Sequence, residues 1–447
     1  DAPSSTALER LHRLRGLNRV TGLEFALRAA EILGGADAGR RFFLAFRDIL
    51  DQMAVQLTLP PREADRRALA LLQLTRVLFL YFVQAKGWLN GEADFLRRRL
   101  DDRLARRRPL HRDLFRPLFF GTLNRPAAER GRASAFGRIP FLNGGLFEPH
   151  PLERHWQGTV PNATWREAFD HLFERFHFTV DERLAAGQIA PDMLGRVFEG
   201  LMAPADRRET GAFYTPAALV PRLVEAGLTA LVAERLDLPR PEAAARLSRP
   251  DGPVLALLST VTILDPAVGS GAFLLGALDR LAALRAGEAP PALLRRRILE
   301  RNLFGVDLNP MAVRLAELRL WLRVVVDEIA TDPESVSPLP NLDGVIRQGD
   351  SLHDPAWLLG ALGARAVRSG SELGRCRQAF VGATGPRKTE LFRQLRRCEC
   401  RALTECLGEA ATTLELQLTE CLESARAPTL FETRRGHPAE LFKGRTA

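Results

Sequence analysis

The chain has 447 residues, 46% of them apolar and 26% charged, with 63 basic against 54 acidic side chains and a pI near 10.1. That length exceeds one ordinary core, so two or three domains are expected, and the balance is that of soluble globular protein rather than a low-complexity or fibrous chain. A net charge of +9 favours a polyanionic partner, nucleic acid first, and with only three lysines (Lys86, Lys388, Lys443) the positive charge is almost all arginine, which clamps phosphates bidentately.

Residues 1–200 read as a helical domain. Arg40 to Leu57 and Arg67 to Val83 carry apolar residues at three- and four-residue spacing. Glu92 to Arg108 reads as an arginine-rich helix, Leu114 to Leu123 as a second apolar stretch, and Ile139 to Glu148 as a turn between apolar flanks. Trp165 to Phe178 returns to helical spacing, and Pro191 to Met202 is a short helix with proline near its entry.

From about 205 the pattern becomes α/β. Three strand-like runs, Val261 to Leu264, Leu303 to Val306 and Val345 to Arg347, are each followed by helix or loop, which predicts a parallel sheet. Gly271 to Leu299 and Met311 to Ile329 read as the intervening helices, and the linker Thr331 to Pro340 ends the second. Domain boundaries are expected at 1–200, 201–355 and 356–447, the last a helical insert and loose tail. Leu414, Leu418 and Leu422 share a helix face there.

Cys376, Cys398, Cys400, Cys406 and Cys421 are odd in number and have no recurring paired spacing, so neither a disulfide framework nor a metal site is expected, and a reduced cytoplasm fits best. The longest uncharged apolar run, Val77 to Val83, is far shorter than a membrane span.

Four segments carry chemistry. Arg207 to Pro216 includes Tyr214 and Thr215, and Thr215 can cap a helix opened by Pro216. Asp265-Pro266-Ala267-Val268-Gly269-Ser270-Gly271-Ala272-Phe273 lies between a strand and a helix, where glycines let backbone N–H groups approach an anionic ligand group. A nicotinamide-type fingerprint needs a third glycine where Leu274 stands, so a ligand other than a pyrophosphate is expected. Asp307, in Phe304 to Pro310, sits at the second strand's tip, suited to ribose hydroxyls. Asp350, in Gly349 to Leu352, sits at the third and can accept from an adenine amino group.

These segments resemble the S-adenosylmethionine-binding motifs of DNA amino-methyltransferases, in the gamma-class order that mostly methylates adenine N6. Val77 to Phe82, Lys86 to Leu89, Leu142 to Glu148, Phe178 to Glu182 and Leu194 to Glu199 are similar to type IIG restriction-modification and phage-defence methylases. The resemblance implies a helical N-terminal domain, then a partial Rossmann-like methyltransferase domain with three parallel strands. It implies S-adenosylmethionine as cofactor and double-stranded DNA as partner. It implies that Tyr214 and Thr215 touch the methionine end and that Asp265, Ala267, Gly269 and Gly271 surround the amino-acid part. Asp307 would hold the ribose, Leu308 pack on adenine and Asp350 bond the adenine amino group.

The family's catalytic element, Asn/Asp/Ser-Pro-Pro-aromatic, is not in this sequence. Pro60-Pro61 follows Leu59, and Pro290-Pro291 follows Ala289. No catalytic residue is therefore assigned. No Asp/Glu-x-Lys nuclease pair exists, because Gln84, Pro386 and Leu441 precede the three lysines by two positions. Gly382 to Thr389 fails as a phosphate loop, with Arg387 before Lys388 and Pro386 inside it. The expectation is a fragment or truncated product of a longer adenine-specific DNA methyltransferase, inactive alone. The alternatives are a non-catalytic cofactor- or DNA-binding module completed by another chain, and methylation of protein or RNA.

Overall fold

The computed structural model describes residues 36–143, 145–156, 159–180, 188–194, 219–352 and 363–426. By contact pattern the chain divides into two units. One comprises Asp1–His353 with Arg375–Arg393, the other Asp354–Gly374 with Gln394–Ala447.

In the first unit a helical region precedes a small parallel sheet. Helices α1 (Ala36–Gln56), α2 (Glu63–Ala85) and α3 (Phe95–Ala105) come first. Helix α2 is long and apolar enough to cross a membrane by length and composition, but it is a core helix, with every residue from Leu69 to Val83 buried. The apolar stretch after α3 winds as two wide π-type segments, His111–Phe115 and Pro117–Leu123. Pro117 has no N–H to donate to the usual carbonyl, which accounts for the break between them. Short helices α4 (Pro151–Trp156) and α5 (Asn162–Ala168) follow, the latter continuing as a π turn to Phe173.

The helix expected over Trp165 to Phe178 therefore stops short. His177–Phe178 (β1) instead pairs in parallel with Gln188–Ile189 (β2). The extended backbone places Phe178 in an aromatic cluster, with ring centroids 5.2 Å from Tyr81, 5.4 Å from Phe82 and 5.8 Å from Phe42. Ring contacts of this half-buried side chain stand where helical spacing would have placed another turn. Pro191 begins a 3₁₀ turn, and the rest of the helix expected to Met202 lies outside the described residues.

Helices α6 (Leu219–Arg235), α7 (Arg240–Ser248) and α8 (Gly252–Thr260) lead into the sheet. Its strands are β3 (Ile263–Asp265), β4 (Leu303–Asp307) and β5 (Ile346–Gln348), parallel, in the order β3-β4-β5. Between β3 and β4 run α9 (Ala272–Leu284) and α10 (Pro291–Arg301), and between β4 and β5 runs α11 (Pro310–Asp327). The architecture is thus a helical region followed by a partial Rossmann-like α/β domain with three parallel strands. Strand β3 forms one edge, and Leu264 on it is 61% exposed. Pro290 and Pro291 form the entry to α10, the position where proline's missing N–H costs nothing.

Among the described residues, several polar contacts join the helical region to the sheet region, Arg138 to Asp332 at 2.6 Å among them. Lys86 Nζ donates to the carbonyls of Val326 (2.7 Å) and Glu328 (2.9 Å), and Trp88 Nε1 donates to Ala330 O at 2.7 Å. A cation thereby meets the carbonyl end of α11, and a buried indole holds the chain just beyond it. A further set is built on the Leu142 to Glu148 segment. Leu339 N donates to Leu142 O at 2.6 Å, and Asn143 Nδ2 reaches Ala383 O at 3.2 Å. The fully buried Arg76 donates to Leu146 O (2.6 Å), Glu148 O (2.7 Å) and both Glu153 carboxylate oxygens (2.6 and 3.0 Å). Every arm of that buried cation is engaged, the condition under which burying it is tolerable. Gly145 lies close to Asp343, where an added Cβ would stand 2.7 Å from Oδ1 and push that carboxylate aside.

The last helices are α12 (Gly363–Val381) and α13 (Gly385–Arg426), so the leucines at 414, 418 and 422 are helical, as their spacing implies. Lys388, in the rejected phosphate-loop segment, pairs with Glu148 and stacks over Phe380. Within the second unit, Glu372 accepts from Arg401 at 3.5 Å. The tail expected from about 426 lies outside the described residues from 427 onward.

Glu317 on α11 is 1% exposed and accepts from Arg314 Nη1 at 2.9 Å. Burial pushes its carboxyl up to about 8, with Arg314 opposing the rise and Asp343 adding to it. The fold thus keeps a proton that the unfolded chain releases near the ordinary value of 4.5. Stability from this group is complete below that value and is lost as pH rises through about 8. Glu317→Gln cannot lose the proton, so its urea midpoint is expected to gain on the parent's as pH rises over that window. A difference that stays constant with pH would mean that Glu317 is ionised in the fold throughout.

Candidate functional site

The loops at the C-terminal tips of β3, β4 and β5 are bonded to one another. Main-chain contacts set the frame: Val268 N donates to Val306 O (2.9 Å), Gly349 N to Asp307 O (2.9 Å) and Gly271 N to Val268 O (2.8 Å). Side chains complete it. Gly269 N donates to Asp307 Oδ2 at 2.8 Å, Ser351 Oγ to Pro266 O at 2.5 Å, and Gln348 Nε2 to Leu308 O at 3.3 Å. Asp265, Ala267, Gly269, Gly271, Asp307, Leu308 and Asp350 therefore lie on three interlocked loops. Tyr214 and Thr215 lie outside the described residues.

The two inner carboxylates differ in their partners. Asp307 is engaged by the main chain, with one bond to each oxygen, Oδ2 accepting from Gly269 N and Oδ1 from Asn309 N, both at 2.8 Å. Asp265 Oδ1 accepts from Ala267 N at 3.1 Å, while its Oδ2 is buried without a hydrogen-bond partner. Burial raises the Asp265 carboxyl above its ordinary range, the Ala267 N–H opposes the rise, and the Asp307 charge adds to it. A buried acceptor beside a second acid is a place where a cationic or N–H-bearing ligand group gains most. Asp350 is exposed, and its Oδ1 accepts from Leu352 N at 3.0 Å. Leu308 stands 56% exposed at the tip of β4.

The glycine turn opens α9. Gly271 occupies its N-cap with φ 87°, so the first N–H groups of a thirteen-residue helix follow directly. A Cβ at Gly271 would lie 3.2 Å from Ala316 Cβ on α11. Asn309 caps α11, its Oδ1 accepting from Met311 N at 2.8 Å, and that ties the β4 tip to the same helix.

Sequence reading missed Arg319. Its Nη1 donates to Ser270 O at 2.7 Å and to Ser270 Oγ at 2.9 Å. The available signal was an arginine in the apolar run Leu315 to Leu322, where a cation needs a specific partner.

The arginine-rich runs are largely neutralised within the chain. Arg97 pairs with Asp101 and Asp170, Arg99 with Glu92, Arg103 and Arg106 with Asp102, and Arg108 with Asp113. In the later run Arg393 pairs with Glu390, Arg396 with Glu399 and Arg401 with Glu372. A cavity of about 390 Å³ lined by Arg285, Arg297 and Arg301 lies at the other end of the sheet. The C-termini of α8, α9 and α10 converge there, and arginines suit their carbonyl ends.

Residues 189–357 match the model of the N-6 DNA methylase family. Over 335 residues the chain is 30% identical to a Methanocaldococcus jannaschii protein that carries the name of a type II restriction enzyme and methyltransferase. That alignment covers 66% of this chain and 28% of the relative, so the chain spans under a third of that relative's length. Among solved structures, the type IIL restriction-modification enzyme MmeI in complex with DNA aligns at 19% identity and TM-score 0.44, over 71% of this chain and 40% of MmeI. A DrdV–DNA complex aligns at 18% identity and TM-score 0.28, over 73% of this chain and 25% of its own.

Gly271→Ala is expected to destabilise the fold by roughly 1–2 kcal/mol, the scale of a left-handed non-glycine residue, because the added methyl also meets Ala316. Urea unfolding checks this. An unchanged midpoint would contradict the close approach of α9 and α11.

Proposed function

Starting from a chain whose residues 189–357 match the model of the N-6 DNA methylase family, we propose that it is the S-adenosylmethionine-binding part of a site-specific DNA methyltransferase of restriction-modification or phage-defence type, acting on adenine N6. The observation that carries this reading is the interlocking of three acid-bearing strand-tip loops around the N-terminus of α9.

The residues fit that cofactor. The buried, unpartnered Asp265 Oδ2 suits the ammonium of its amino-acid end. The first-turn N–H groups of α9, behind Gly269 and Gly271, suit its carboxylate. Asp307 retains acceptor capacity for ribose hydroxyls beyond its two main-chain bonds. Leu308 offers an apolar face to adenine, and Asp350 an acceptor for the adenine amino group. Tyr214 and Thr215 are assigned to the methionine end by motif alone. When bound, the cofactor supplies an activated methyl group. This chain's residues hold and orient its nucleoside and amino-acid ends.

The flipped base would need a polar group and an aromatic platform from an Asn/Asp/Ser-Pro-Pro-aromatic element. This sequence contains none. Among the described residues none pairs with the outer edge of β3, where Leu264 is exposed. That edge favours completion of the sheet by further polypeptide, in the same chain or in a second subunit. We therefore assign double-stranded DNA as the partner of the completed enzyme and cofactor binding as the role of this chain.

Calorimetry with S-adenosylmethionine tests the reading. Asp307→Ala is expected to weaken binding by about 2 kcal/mol, roughly thirtyfold. Equal affinity would remove Asp307 from the site. The polypeptide alone is expected to transfer no labelled methyl group to DNA. Transfer would mean that another element holds the base.

A further inference from the structure

The glycine turn is held from behind by a side chain on another helix. Arg319 Nη1 donates to both the carbonyl and the hydroxyl of Ser270, at 2.7 and 2.9 Å. Ser270 is 7% exposed, so these bonds are formed away from bulk water, where a charge-assisted hydrogen bond holds geometry well. The peptide unit joining Ser270 to Gly271 is planar and trans, so its carbonyl and N–H point in opposite directions. With the carbonyl drawn toward α11, the Gly271 N–H turns to Val268 O at 2.8 Å and closes the turn. One helical turn before Arg319, Ala316 leaves no room for a side chain at Gly271. One face of α11 therefore determines where the first turn of α9 begins.

We propose that Arg319 is a positioning residue for the amino-acid end of the cofactor. This proposal rests on the reading of the chain as an S-adenosylmethionine-binding protein. Arg319 touches no reacting atom. It fixes the Ser270–Gly271 peptide, and through it the N–H groups that would meet the ligand carboxylate. It also places a positive charge behind a turn that carries Asp265 and donates from Gly269 N to Asp307. The nucleoside end is assigned to Asp307, Leu308 and Asp350, on loops that Arg319 does not touch in these contacts.

The two halves of the ligand can be read separately. S-adenosylmethionine and S-adenosylhomocysteine carry the amino-acid end, and 5′-methylthioadenosine lacks it. Arg319→Met is expected to weaken binding of the first two by roughly tenfold or more, the scale of a lost charge-assisted bond, and to leave methylthioadenosine within about twofold. Arg319→Lys, which keeps the charge and a donor, is expected to recover part of the loss, with circular dichroism checking that both variants fold. Equal weakening of all three ligands by both variants would overturn the proposal, since it reports a general loss of structure. Parent-like affinity of Arg319→Met for all three would also overturn it. A parent chain that binds none of the three overturns the cofactor reading itself, and the Arg319 proposal with it.

Discussion

Helix α11 is the constraint on which the rest of the first unit depends. Its N-terminus is fixed by the Asn309 cap immediately after Asp307. Its middle is fixed by Ala316 against Gly271 and by Arg319 on Ser270. Trp321 Nε1 donates to Pro340 O at 2.9 Å, which ties the helix to the segment leading into β5. Its C-terminal carbonyls are met by Lys86, and Trp88 holds the chain just beyond. A shift of this one helix would move the tip loops of β3 and β4 and the approach to β5, and loosen the helical region as well. Interiors packed this densely transmit such shifts instead of absorbing them.

The same logic gives the motifs of the helical region a physical role. Lys86 to Leu89 caps the end of α11. Leu142 to Glu148 threads between Arg76 on α2 and the segment around Asp343. Neither presents a reactive group. Both hold the region before the sheet against the core of the sheet region through buried polar contacts, which require specific partners where apolar packing accepts many. The arginine-rich helix α3 is a comparable case. Its charge reads as a phosphate-binding surface in sequence and is matched by acids on the same and neighbouring segments.

Much of this was legible in the sequence because it is local. The strand, glycine turn and helix at Ile263 to Leu284 follow from an apolar run, two glycines and helical spacing, and the three strands fall within two residues of their expected limits. The acids at their tips were readable for the same reason. What stayed hidden depends on residues distant in sequence. The unpartnered oxygen of Asp265, the bond from Gly269 to Asp307, and the reach of Arg319 to Ser270 all require the tertiary fold. Phe178 shows the limit of periodicity, since its helical spacing yields to an aromatic cluster built from α1, α2 and β1.

The most direct test of the central claim is a crystal structure of this chain with S-adenosylhomocysteine. The account predicts the amino-acid end at Asp265 and the first turn of α9, the ribose at Asp307 and the adenine between Leu308 and Asp350. Ligand density elsewhere on the chain, with the three strand-tip loops unliganded, would contradict it.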